Sequence, residues 1–327
     1  MESPLKRTLI ALAAVAACGA AMAQSSVSVY GRVDLSLGNL KELDKGSQSR
    51  MIDGNLTSTR LGFRGTEDLG GGLKASFKME HRFDADTGAS EDPFWKGEST
   101  LSLSGGFGEL KLGRSSTIYD EVRGLSASSS AFDSAFTPSS NGVFGSGGDY
   151  SSRFNNKITY ALPAMGNLYG GVEYALDEDP DAKADMIGAK LGYKSGPLNL
   201  AMGLQQEKGK DNDYLMVAAA YDFGVASVSG GYNVRNGNAA TGDDNEFTVG
   251  VNVPLGALQL SAGFATGKTE KAGATSSKAS GFGLGATYAL SKRTKLYGGL
   301  RSHNVKDGSG TKTADTRLFA VGVRHDF

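Results

Sequence analysis

Basic side chains recur at even spacing near the start of the chain. Arg60 and Arg64 flank Gly62, while Lys74, Lys78 and Arg82 share a parity with Ser76 and Glu80. Arg32 keeps the parity of Ser28, Tyr30 and Asp34. An extended chain sends successive side chains to opposite faces. Each basic set is therefore expected on one face, with Val27, Val29, Val33 and Leu35, or Leu61 and Phe63, or Ala75, Phe77 and Met79, on the other. Rows of fixed charge form no bond to a substrate; they supply a field. A low-dielectric wall around water focuses that field, so a few charges decide which ions enter.

Sets that would do covalent or metal chemistry lack the spacing for it. His81, His303 and His325 make no H-E-x-x-H arrangement, and Gly263 to Thr269 is one residue short of a phosphate loop and lies in an alternating segment. The only cysteine, Cys18, lies in an N-terminal segment that reads as a secretory signal. Lys6 and Arg7 form its charged start, Thr8 to Ala17 its apolar core, and Ala21-Met22-Ala23 its cleavage site, so residues 1–23 are expected to be removed. A lipidated Cys18 is the alternative processing. Otherwise the mature chain carries no disulfide, thiolate site or Cys nucleophile. No enzyme activity and no cofactor are expected.

The elements that must carry the basic rows follow one beat. The apolar and charged faces alternate in Val27 to Gly38, Thr57 to Gly65 and Gly72 to Phe83, and thirteen further segments repeat the pattern to Phe327. That makes sixteen strands of about ten residues, the length that spans a bilayer as a tilted β-strand. Six connections are short, from Gly105–Gly108 to Leu290–Arg293. The others are polar and expected as long loops, among them Leu40–Leu56, Asp84–Gly97, Thr269–Ser277 and His303–Thr316. Ser115 to Asn155 is the longest and has no sustained period. With 47 Gly, 7 Pro and 39% hydrophobic residues, the chain is too apolar for disorder and too Gly-rich for a helical protein. A net charge of -1 argues against a nucleic-acid partner. Charged inner faces and the alternation of loop lengths favour a transmembrane antiparallel β-barrel over a soluble sandwich or propeller.

Several stretches resemble the Gram-negative general porins of the betaproteobacterial branch. They are Ser25 to Asp34, Ser58 to Leu73, Gly108 to Arg114, Arg153 to Tyr160, and the ending Val321 to Phe327. The resemblance covers the mature chain, 24–327. It implies a sixteen-stranded outer-membrane barrel with short periplasmic turns and long extracellular loops. It also implies a homotrimer that passes inorganic ions and small hydrophilic solutes, with the third loop, 115–155, folded into the lumen as a constriction. Phe327 is then the signal read by the barrel-assembly machinery. Arg32 departs from the pattern, which has an apolar or small residue there, and 115–155 lacks the Pro-Glu-Phe-type segment of enterobacterial relatives.

On this resemblance Arg60 and Arg153 match arginines that line the constriction. Arg32, Lys78 and Arg82 join them by alternation alone. Asp120, Glu121, Asp133 and Asp149 are the opposing acids, so a basic wall faces an acidic loop across the opening. The excess of inward arginine and lysine leans toward anions, diluted by Asp34, Glu80 and Glu173. Asp177, Asp179 and Asp181 are candidates for a divalent cation; the plainer reading is a solvated outer loop in contact with membrane lipid and lipopolysaccharide. A substrate-specific channel, and an adhesin or phage-receptor role of the surface loops, are the alternative readings.

Overall fold

The computed structural model describes residues 26–127, 131, 133–138, 144, 150–178 and 185–327. The signal segment 1–23, Asp149, Asp179 and Asp181 lie outside the described residues. The strands are β1 (Ser26–Glu42), β2 (Gly46–Asp53), β3 (Arg60–Gly70), β4 (Leu73–Arg82), β5 (Glu98–Gly105) and β6 (Gly108–Ser116). They continue as β7 (Arg153–Ala161), β8 (Leu168–Ala175), β9 (Met186–Ser195), β10 (Leu198–Glu207), β11 (Asn212–Asp222) and β12 (Ser227–Asn236). The last five are β13 (Asp243–Leu255), β14 (Leu258–Lys271), β15 (Ala274–Ala289), β16 (Thr294–Asp307) and β17 (Lys312–Asp326). One helix is found among the described residues, α1 (Ile118–Ser126).

Apart from β2 and β3, which both pair with β1, each strand pairs antiparallel with the next, and β1 pairs with β17 to close the sheet. β2 and β3 occupy one position in the ring. The far half of β1, Leu35–Glu42, pairs with β2, and the near half, Ser26–Arg32, pairs with β3. The barrel therefore has sixteen strand positions. Closure leaves no unpaired edge, which a bilayer would not tolerate.

Burial is inverted relative to a soluble fold. Val27 is 69% exposed, Val29 60% and Leu101 59%, whereas Asp34 and Asn233 are fully buried and Glu80 is 3% exposed. The alternation thus points apolar residues outward to lipid and polar ones inward.

Three expected loops are strands instead. Within Leu40–Leu56, β1 and β2 continue as a ribbon turning at 43–45, with Asp44 and Gly46 at positive φ. β14 and β15 meet at a two-residue turn, Ala272-Gly273, both at positive φ, inside the expected loop Thr269–Ser277. β16 and β17 pair as far as Lys306 and Lys312, inside His303–Thr316. Backbone ladders need no apolar face. Beyond the bilayer both faces meet water, so the hydropathy period vanishes while the hydrogen bonds continue.

The segment after β6 departs from expectation too, because it contains α1. The Thr117 side chain accepts from the Asp120 amide at 3.1 Å, capping the first turn. Glu173 of β8 accepts the Ile118 amide at 2.9 Å. Tyr119 and Val122 face the inner wall and cluster with Ala201, Tyr214, Met216 and Ala218 of β10 and β11. A second seat lies across the lumen, where Phe136 packs with Leu56, Tyr297, Leu318 and Ala320. The segment is inside the barrel at both seats.

Candidate functional site

Strand register makes the basic cluster. Arg32 of β1 stands directly opposite Arg60 of β3, and Arg60 directly opposite Arg82 of β4. Like charges in adjacent register repel, so the row needs counter-charge. Glu80 supplies it from beneath: its carboxylate lies 3.2 Å from Arg60 and 3.4 Å from Arg82. Tyr30 donates to the same carboxylate at 3.1 Å. At the other end of the row Asp326 holds Arg32 at 2.5 Å and Arg324 at 2.9 Å. Arg153, at the start of β7, donates to the Gly97 carbonyl at 3.0 Å.

A cavity of about 700 Å³ separates this wall from the inserted segment. Arg32, Arg60, Arg82 and Arg153 line it from the wall, and Asp120, Arg123, Asp133 and Tyr150 from the segment. Arg123 bonds Asp120 at 2.9 Å and Asp133 at 3.0 Å. Tyr150 donates to the same Asp120 oxygen. Burial pushes the Tyr150 phenol well above its ordinary range and the Asp120 carboxylate adds to this, outweighing Arg123, so the phenol remains a donor. Burial disfavours the Arg123 charge, but Asp120 and Asp133 beside it overcome that and hold its pKa above the ordinary value.

The candidates therefore separate. Arg32, Arg60, Arg82, Arg153, Asp120 and Asp133 share one cavity. Glu121 lies on the far side of α1, paired with Lys190 of β9. Lys78 lies in another cavity and bonds Glu98 at 2.6 Å. Phe327 is at the barrel seam, where it exchanges two 3.0 Å backbone hydrogen bonds with Gly31. Asp177 follows β8.

Sequence reasoning missed Arg123 and Tyr150. The signal for Arg123 was present: Thr117 with Asp120 and Glu121 behind it is a helix start, and a helix puts Arg123 one turn beyond Asp120. Tyr150 carries no local signal, since it reaches Asp120 across thirty residues.

A family model described as Gram-negative porin matches residues 8–308. Outer membrane porin protein 32 of Delftia acidovorans is 36% identical over 339 residues, spanning 98% of this chain and 95% of that one. A solved anion-selective porin from Comamonas acidovorans superposes with a TM-score of 0.76 at 30% identity, covering 93% of this chain and 100% of that one. The trimer form of OmpT from Vibrio cholerae superposes with a TM-score of 0.70 at 17% identity, over 93% of this chain and 99% of that one, a likeness of fold alone.

Proposed function

The chain belongs to the Gram-negative porin family, and from that premise we propose that its pore passes small hydrophilic solutes passively and prefers anions. It is an outer-membrane β-barrel channel and not an enzyme. In this reading residues 1–23 are the export signal, 24–327 the barrel, and 115–155 the loop that narrows the lumen. The constriction is the gap between the Arg32, Arg60, Arg82 and Arg153 wall and the α1 segment. Three copies assemble, as in the trimer form of the Vibrio cholerae protein. Phe327 serves the assembly machinery, and the outer loops meet lipid and lipopolysaccharide.

The observation that carries the selectivity is the charge on one cavity. Five arginines and two aspartates line it, and both aspartates are bonded to Arg123. Arg123 offsets one of those two negative charges, so the segment side keeps one net negative charge against four wall arginines and the gap as a whole is net positive. An anion shed of part of its hydration finds guanidinium donors there, whereas a cation meets repulsion that the low-dielectric wall does not screen. The Comamonas acidovorans porin of the same fold is anion-selective.

Reconstitution in a planar bilayer under a salt gradient tests this. The expected result is ohmic openings in steps of three, with a reversal potential on the anion side. Arg60→Ala with Arg153→Ala should move that potential toward cations. A cation-side potential in the wild type, or no movement in the variant, sinks the assignment.

A further inference from the structure

Below the arginine row the same wall carries a second set of unspent cations. Arg64 lies four residues from Arg60 along β3, a rise of about 13 Å toward the end with the short turns. Its register neighbours are Ser28, Lys78 and, beyond Lys78, Thr100. Together with Lys111 of β6 these side chains line a cavity of about 300 Å³.

The charges in this cavity differ in how far they are already used. Lys78 is bonded to Glu98. Among the described residues Arg64 and Lys111 have no ion pair: Arg64 rests over the Tyr30 ring at 5.2 Å, with its Nε 3.4 Å from the Ser28 hydroxyl. Glu109 also reaches the cavity, leaving three cations against two carboxylates. Glu80 separates the two basic rows in register, but its side chain is 4% exposed beneath Arg60 and Arg82 and presents little charge to the passage. The Ser28 hydroxyl, which accepts from Arg64, keeps its own O–H as a neutral donor in the same lining, while Thr100 already donates to Glu98 at 3.2 Å. Two cations without an ion pair beside a hydroxyl donor suit a tetrahedral oxyanion, which accepts several hydrogen bonds at once.

We propose that Arg64 and Lys111 form a second anion station, distinct from the constriction, that holds an inorganic oxyanion of the phosphate or sulfate type as it leaves toward the short-turn end. Conduction is fast when a bound ion has a neighbouring weak site to move to, and the station supplies one. The inference rests on the anion preference proposed above and specifies its path.

Selenate is the probe, because its anomalous scattering marks its position in crystals of the full mature protein. A peak beside Arg64 and Lys111 is expected. It should persist in Arg60→Ala/Arg153→Ala and vanish in Arg64→Ala/Lys111→Ala. A peak at the arginine row only, or none, overturns the station. In bilayers Arg64→Ala/Lys111→Ala should keep the three-step openings that report a folded channel, while the anion-to-cation permeability ratio falls at least about twofold. An unchanged ratio also overturns it. If instead Arg60→Ala/Arg153→Ala leaves the ratio intact, the constriction reading fails while the selenate peak still stands.

Discussion

Arg123 bears on the field in two ways, through its one positive charge and through Asp120 and Asp133, the two acids it holds in place. Replacing it with Ala removes one cation and frees Asp120 and Asp133 toward the gap. The reversal potential of Arg123→Ala should shift toward cations further than that of Arg60→Ala alone. An equal or smaller shift would mean that the loop acids do not see the permeating ion. Glu80 predicts the opposite direction. Glu80→Gln takes the counter-charge from beneath Arg60 and Arg82, so the anion preference should rise. The uncompensated row should also cost about 1–3 kcal/mol of stability, read as a lower unfolding midpoint in denaturant.

Among the elements, the inserted segment is the part whose placement needs explaining. Wall carboxylates hold its backbone: Glu173 takes the Ile118 amide, and Glu207 of β10 takes the Ser151 amide at 2.6 Å and its hydroxyl at 3.1 Å. Glu173 also pairs with Lys157 of β7 at 2.7 Å, both side chains almost wholly buried. Glu173→Gln would strand that lysine and should cost about 3 kcal/mol, measurable as a lowered thermal transition. Glycines give the segment room. A Cβ at Gly299 of β16 would fall 2.6 Å from the Phe136 ring. Gly299→Ala must displace Phe136 and should alter single-channel conductance and raise open-channel noise; an unchanged trace would mean that this seat does not set the aperture.

At the scale of the whole molecule, closure is the decisive event, because a barrel with an open seam exposes backbone donors to lipid. Phe327 and Gly31 make the end of that seam. The Phe327 ring occupies the space where a Gly31 Cβ would sit, 2.2 Å from its nearest carbon. Gly31→Val should therefore mimic deletion of Phe327, lowering the yield of folded, heat-modifiable barrel on gels, with the unassembled chain accumulating. Full assembly of Gly31→Val would show that the ring seat is dispensable.

Strand parity was legible from the residues alone. Val27 and Leu101 outward, Glu80 and Arg60 inward, follow from a period of two that any bilayer-spanning strand must show. Sixteen positions and the place of the longest connection followed from counting those segments. The ribbons at 40–56, 269–277 and 303–316 did not, because outside the bilayer no medium imposes a period on the side chains. Nor did the alignment of Arg32, Arg60 and Arg82. Register is a relation between strands distant in sequence, set by the whole ladder, and one strand's pattern carries only its parity. The chain by itself thus determined a barrel with a basic inner wall. Only the tertiary structure decided that the arginines form one row over Glu80 and that Arg123 holds the loop's acids, since both depend on charges brought together across the lumen.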